Sequence, residues 1–397
     1  MPTSSVAPVH HHLFFVPGFL GFTHLGESTG GVDYFVELPA LMEAALRQRP
    51  GVTGVTSHFV SVTPTGSIAA RADAVAKTIG DVFDALPSTD GHVVHLIGHS
   101  TGGLDIRLVA SPGARLPTQS ERRTRWLDAV RTVATLNTPH AGTPIASFFA
   151  SRLGGQLLDF VSSLASDSLA RGLFSVPKAA TMTALRGSLP SASLTLSRHP
   201  LLSAIGAWLT GGAALQKWVG SIAVDQGALV QLTPEAMSLA NAAPIADHPA
   251  VRYLSVASMV RERGPFTWGL AFGKERPDLL FRLLQRIVSQ AAPAYPCNTA
   301  PSGQDVGQLA NFFGETQPAL SDNDGVVPIQ SQVWGELVWA GYGDHMDTVG
   351  HFADANTRKV EWMVSGAGFT QGRFTAMANA IAERLDGAAA ERLSKVA

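Results

Sequence analysis

The chain has 397 residues, of which 45% are hydrophobic and 15% charged, enough apolar material for one large core carrying an inserted subdomain, or for two domains. Its formal net charge of −2 leaves no basic field for gripping a nucleic-acid backbone. The single cysteine, Cys297, excludes an internal disulfide framework and a thiol cluster, and it lacks the histidine context of a nucleophile.

No Lys or Arg precedes the first apolar run, Leu13-Phe14-Phe15-Val16, and no small-residue cleavage site follows it. The expectation is a cytoplasmic protein, or a secreted one if the chain is a processed form. No window holds about 18 uninterrupted apolar residues, so no membrane span is expected. Three adjacent histidines, His10-His11-His12, cannot converge well on one metal ion from beside a strand. They read as a solvated start to that strand.

Strands are predicted at Leu13–Val16, His58–Val62, Val93–Ile97 and Thr132–Leu136, with helical spacing at 34–48, 67–86 and 104–110. Strands alternating with crossover helices imply a mostly parallel sheet buried on both faces. From 146 to 245 this rhythm breaks. Phe149, Leu153, Leu157, Phe160 and Leu164 lie on one helical face, and Trp208 and Trp218 follow among further apolar stretches. The segment reads as a helical lid or cap inserted into the sheet domain; a helical domain without a functional role is the alternative. The β rhythm returns at 251–257. An amphipathic helix over Leu279–Val288, a last strand from Glu336 to Trp339 and a closing helix over Phe374–Leu385 complete the chain. The Ala-rich end, 387–397, is expected to fray. The organisation is a core in two parts, 1–145 and 246–397, around an insertion at 146–245.

Gly98-His99-Ser100-Thr101-Gly102-Gly103 sits between a predicted strand and a predicted helix. G-x-S-x-G in that setting is a nucleophile elbow, a sharp turn that presents a serine hydroxyl to a base. An acyl-transfer serine also needs an oxyanion hole. One donor is the backbone N–H of Thr101, the residue after the nucleophile. The second is Phe19 N–H in Pro17-Gly18-Phe19-Leu20-Gly21, the loop after the first strand. The chain order Ser, Asp, His then points to Asp324 in Asp324-Gly325-Val326-Val327-Pro328, with Asp322 as runner-up. The base is His345 in Gly343-Asp344-His345-Met346-Asp347, with His351 as competitor. The predicted fold class is therefore α/β, an α/β-hydrolase fold.

These pieces, with Gly31-Val32-Asp33-Tyr34-Phe35 and Asn137-Thr138-Pro139-His140-Ala141-Gly142, occur in an order that resembles the bacterial true lipases, subfamilies I.1 and I.2. The resemblance implies a triad of Ser100, Asp324 and His345, an oxyanion hole at Phe19 and Thr101, and a lid after Asn137–Gly142. It also implies a structural calcium, for which Asp347 matches a ligand position, while the later amide ligand falls on His351. The chemistry itself requires no cofactor. Two departures stand out: Pro17 replaces the family's histidine before the oxyanion glycine, and no secretion signal is visible. The expected activity is hydrolysis of an apolar carboxylic ester, at a lipid or polymer surface or in solution. Acyltransferase, thioesterase, lactonase or polyester depolymerase activity would use the same triad. A non-catalytic binding protein on a hydrolase scaffold is the reading from another class.

Overall fold

The computed structural model describes residues 8–19, 24–25, 32–116, 126–150, 227–242, 246–261, 279–295, 305–353 and 361–396. Its centre is one sheet built from β1 (Val9–Val16), β2 (Val52–Phe59), β3 (His92–His99), β4 (Val130–Leu136), β5 (Arg252–Met259) and β6 (Glu336–Tyr342). The spatial order is β2-β1-β3-β4-β5-β6, and each pairing is parallel. The chain begins at β1, steps outward to β2, then reverses past β1 to β3. The order therefore switches between β1 and β3. In an open parallel sheet, the loops leaving such a switch point diverge and open a crevice at the strands' C-terminal ends.

Alternation along β1 shows why both faces are covered. Leu13 and Phe15 point to one side, where they join Leu38, Met42 and Leu46 of α1 (Leu38–Arg47) and Phe374, Met377, Ile381 and Leu385 of α8 (Gln371–Val396). Phe14 and Val16 point to the other side. There they meet Val75, Ile79 and Phe83 of α2 (Ile68–Asp84) and Ile106 and Val109 of α3 (Thr101–Ala110). Each large side chain so buried contributes roughly 2 kcal/mol. Ser67 caps α2 by accepting the Ala70 N–H at 3.3 Å, and a proline in the first turn starts α1.

The remaining described helices are α4 (Pro144–Ala150), α5 (Gly227–Gln231), α6 (Pro234–Ala242) and α7 (Leu279–Ala291). The expected cap at 146–245 falls mostly on residues outside the described set, as do Cys297, Trp208, Trp218 and the stripe beyond Phe149. Among the described residues, no helix is long and apolar enough to cross a membrane.

Three expectations need correction. The second strand ends at Phe59 rather than starting near His58. It is an edge strand in which only Val55 is buried, so it lacks the apolar alternation that betrays inner strands. The final helix continues to Val396 instead of fraying at 387, in keeping with the strong helix formers Ala, Glu, Arg, Leu and Lys along it. The histidine run is not solvated: His11 and His12 are buried.

Their burial is accommodated by a ladder of imidazoles that joins the N-terminal halves of β1 and β3 to His58 near the C-terminal end of β2. His12 Nδ1 lies 3.0 Å from His58 Nε2, and His12 Nε2 lies 2.8 Å from His92 Nδ1. On the opposite face His11 Nδ1 lies 2.9 Å from His95 Nε2, and His95 Nδ1 lies 2.7 Å from Thr132 Oγ1. Parallel pairing sets His10 level with His92 and brings His12 beside His58. His12 directs its two nitrogens to different neighbours, so these rings form a chain rather than converge on a point. Each N···N contact needs a lone pair on one ring, so two bonded rings cannot both be charged. Burial, reinforced by repulsion among neighbouring histidines, lowers His12 to about 3 and His11 to about 4. These depressed values mean that the unfolded state binds more protons below about pH 6.5. Stability contributed by the ladder is present above that pH and is lost as pH falls toward the folded values. The urea midpoint should therefore drop between pH 7.5 and pH 5, and His12→Gln should flatten the dependence. An equally steep profile in the variant would assign the acid sensitivity elsewhere.

Candidate active site

Ser100 occupies the junction of β3 and α3 with φ 54° and ψ −127°. Serine at this position normally caps the helix with its hydroxyl, but Ser100 makes no cap bond. The backbone twist directs the side chain out of the capping position, and its own amide is held by Leu136 C=O at 2.8 Å. Neighbouring glycines make the turn physically attainable. A Cβ on Gly98 would lie 2.4 Å from Gly102 O, and one on Gly102 would lie 2.3 Å from Val16 O. The second glycine of the pair also has a reason, since a Cβ on Gly103 would collide with the Thr138 side chain.

The first-strand loop closes over this elbow. A Cβ on Gly18 would lie 2.7 Å from Ser100 Cβ and 2.8 Å from the Tyr34 hydroxyl. Pro17 brings its own fixture: its carbonyl accepts from Arg71 Nη2 at 2.6 Å. Arg71 is fully buried, donates to Thr63 C=O at 2.7 Å, and pairs with Asp105 of α3 at 2.8 Å. Burial raises the Asp105 carboxyl to about 6, against the pull of the Arg71 charge. Thr101 is buried at the start of α3, where the first backbone N–H groups have no intrahelical partner.

Asp324 and His345 are brought together directly, with His345 Nδ1 2.7 Å from Asp324 Oδ2. The Asp324 carboxylate is fully buried yet well supplied with donors. Oδ1 accepts from the Val326 and Val327 amides at 2.8 and 2.7 Å, an Asx-type turn enabled by Gly325 at φ 96°. Oδ2 also accepts from Asn137 Nδ2 at 2.8 Å and Gln332 Nε2 at 3.2 Å. Asp322 is turned elsewhere and accepts the Ala319 amide at 2.8 Å. His351 is also away from the acid, with Nε2 donating to Tyr34 C=O at 2.9 Å. The loop carrying His345 reaches the elbow through His99, whose Nε2 donates to the His345 carbonyl at 2.8 Å. The two rings lie 4.7 Å apart. Ser100 and His345 retain 7% and 6% of their surface, so both open narrowly toward solvent.

Asp347 and Asp344 brace the His345 turn reciprocally. Asp347 Oδ2 accepts the Asp344 amide at 2.8 Å, while Asp344 Oδ1 accepts the Met346 amide at 2.9 Å. Burial raises both carboxyls above the usual carboxylate range. Calcium takes six to eight oxygen ligands. Although Asp344 Oδ2 is buried without a partner, no three acidic or histidine side chains gather into a metal site among the described residues. His351 offers nitrogen already committed to Tyr34. Among the described residues these side chains alone do not make up a calcium ligand set, and Asp347 holds the loop through the Asp344 amide.

Several supporting residues were not assigned roles from the sequence. Asn137, at φ 49°, donates to both Asp324 and Ser258 Oγ and accepts from Thr348 Oγ1. The local signal was an Asn, tolerant of left-handed backbone, directly after a strand. His140 receives Arg107 Nη1 at 3.0 Å, and the Arg107 guanidinium stacks 3.4 Å above Trp334.

No family model and no curated protein matches the sequence. Staphylococcus hyicus lipase is similar in structure, with a TM-score of 0.52 at 18% identity over 97% of both chains. Lipase 1 from Pelosinus fermentans gives 0.48 at 16% identity, covering 96% of this chain and 99% of that one. A metagenomic carboxyl esterase gives 0.46 at 13% identity, covering 97% and 77%. The likeness to the Staphylococcus hyicus protein, joined to the parallel sheet and its strand-to-helix elbow, shows an α/β-hydrolase fold.

Asn137→Ala removes a donor from the buried Asp324 carboxylate and places alanine in left-handed backbone. It should cost about 2–4 kcal/mol of unfolding free energy, measured by urea titration. Stability equal to wild type would mean that Asn137 does not support the acid.

Proposed function

We propose that this protein is a serine carboxylic ester hydrolase of lipase or esterase type, acting on an apolar ester through an acyl-enzyme on Ser100. The observation that carries the reading is the Asp324–His345 pair, 2.7 Å apart, whose loop is tied by His99 to the strained Ser100 turn. His345 Nδ1 is committed to Asp324, which leaves Nε2 as the nitrogen that takes the Ser100 proton. Ser100 Oγ attacks the ester carbonyl, and the tetrahedral oxyanion receives the Phe19 and Thr101 N–H groups. The imidazolium then protonates the leaving alkoxide. Water, deprotonated by the same imidazole, attacks the acyl carbon, the bond to Ser100 Oγ breaks, and the imidazolium returns its proton to that oxygen. Asp324 holds the tautomer and balances the transient charge.

The non-catalytic alternative required Pro17 to have disabled the oxyanion loop. The Arg71 bond to its carbonyl and the close fit of Gly18 against Ser100 favour a formed loop instead. An apolar ester is favoured by the scarcity of charge in 146–220, the stretch that follows the site's Asn137–Gly142 segment.

A fluorophosphonate should label the wild type at Ser100, and Ser100→Ala should lower ester turnover about 10³-fold or more. Asp324→Ala should cost more activity than Asp322→Ala, because Asp322 is spent on a local turn. Full activity in Ser100→Ala would end this reading.

A further inference from the structure

The segment 34–36 bridges the two loops that must cooperate across Ser100. On one side it is stitched to the His345 loop. Val36 N–H donates to Val349 C=O at 2.8 Å, and His351 Nε2 donates to Tyr34 C=O at 2.9 Å. Gly350, at φ 101°, lets Val36 seat there, since a Cβ would lie 2.2 Å from Val36 O. On the other side, the Tyr34 hydroxyl reaches the oxyanion loop and accepts the Gly18 N–H at 3.0 Å. The same hydroxyl lies 2.7 Å from His99 Nδ1.

Proton placement in this chain has one solution. The His345 carbonyl can only accept, so His99 Nε2 carries the hydrogen. His99 is fully buried, and burial together with the neighbouring His345 and His351 holds its pKa well below the ordinary histidine value. The neutral ring therefore presents a lone pair at Nδ1, and the Tyr34 O–H donates into it. Burial likewise keeps the Tyr34 phenol protonated by raising its pKa. The result is a directional run: Gly18 N–H to Tyr34 Oη, Tyr34 O–H to His99 Nδ1, His99 Nε2–H to His345 C=O.

We propose that Tyr34 and His99 are positioning residues, a buried relay that sets the oxyanion loop and the His345 loop at one separation across Ser100. The inference rests on the proposed ester hydrolysis for its kinetic consequence, though not for the hydrogen-bond arrangement itself. It concerns the chemical step rather than binding, because both side chains are buried behind the Ser100 turn. Misplacing a donor or base by about 1 Å costs up to about 100-fold in rate.

The test pairs Tyr34→Phe with a readout on the wild type that does not depend on activity. Tyr34→Phe keeps the ring but removes the hydroxyl from both bonds. With active sites titrated by fluorophosphonate, kcat per titrated site should fall about 10- to 100-fold while KM stays within about twofold. A merely structural role would lower the titratable fraction and leave kcat per titrated site unchanged, and that outcome overturns the proposal. In the wild type, ¹⁵N–¹H correlation spectra of labelled histidines should show His99 as the Nε2–H tautomer, unchanged from pH 5 to pH 8. An Nδ1–H tautomer, or a charged ring in that range, overturns the relay even if Tyr34→Phe cannot be folded. Absence of ester turnover in the wild type would refute the proposed function alone, and the tautomer would still decide the relay.

Discussion

A left-handed backbone at one serine sets the terms for the surrounding structure. Holding a non-glycine residue at φ 54° costs about 1–3 kcal/mol, so the neighbouring structure must over-determine it. It does so by close approach: Gly98, Gly102 and Gly18 leave no space for a side chain between β1, β3 and α3. The Ser100 amide is pinned to β4 through Leu136 C=O, and its carbonyl accepts the Gly103 amide. The same closeness brings the first-strand loop over the turn. Access for the hydroxyl and proximity of the Gly18 loop are thus two results of one packing constraint.

Buried charge around the site is handled in three ways. Asp324 is surrounded by donors from the backbone, Asn137, Gln332 and His345, which replace the water it has lost. Arg71 and Asp105 are buried against each other. Such a pair adds little net stability, but the guanidinium spends its remaining donors on Pro17 and Thr63 carbonyls and so fixes a loop. Asp344 and Asp347 form no ion pair among the described residues, and burial pushes them toward the neutral form, in which they still accept backbone N–H groups.

Parallel topology separates the polar specialisations of the sheet. The C-terminal ends of β1, β3 and β4 lead to Gly18, Ser100 and Asn137, beside the switch in strand order. The N-terminal ends of β1 and β3 bring the imidazole ladder together at the opposite pole, with His58 of β2 reaching it laterally. Strands of a parallel sheet run the same way, so residues early in each strand gather at one end and residues after each strand gather at the other.

The sequence by itself determined the elements whose cause is local or periodic. Inner strands such as Val93–Ile97 carry apolar runs broken only by His95, and α1 and α2 carry the apolar spacing of half-buried helices. Gly98–Gly102 declares its turn because only glycine fits there. Asp324 and His345 were legible from order and turn chemistry, and the structure brings them within hydrogen-bonding distance. What tertiary structure decided was partnership. Nothing in His10-His11-His12 reveals that His58, His92 and His95 will lie alongside, because strand register is set by packing across the whole sheet. Nothing near Tyr34 or Arg71 announces contact with a loop at Gly18 or Pro17. Those bonds join residues distant in the chain, and a hydrogen-bonding side chain carries no record in its own neighbourhood of which distant group will satisfy it.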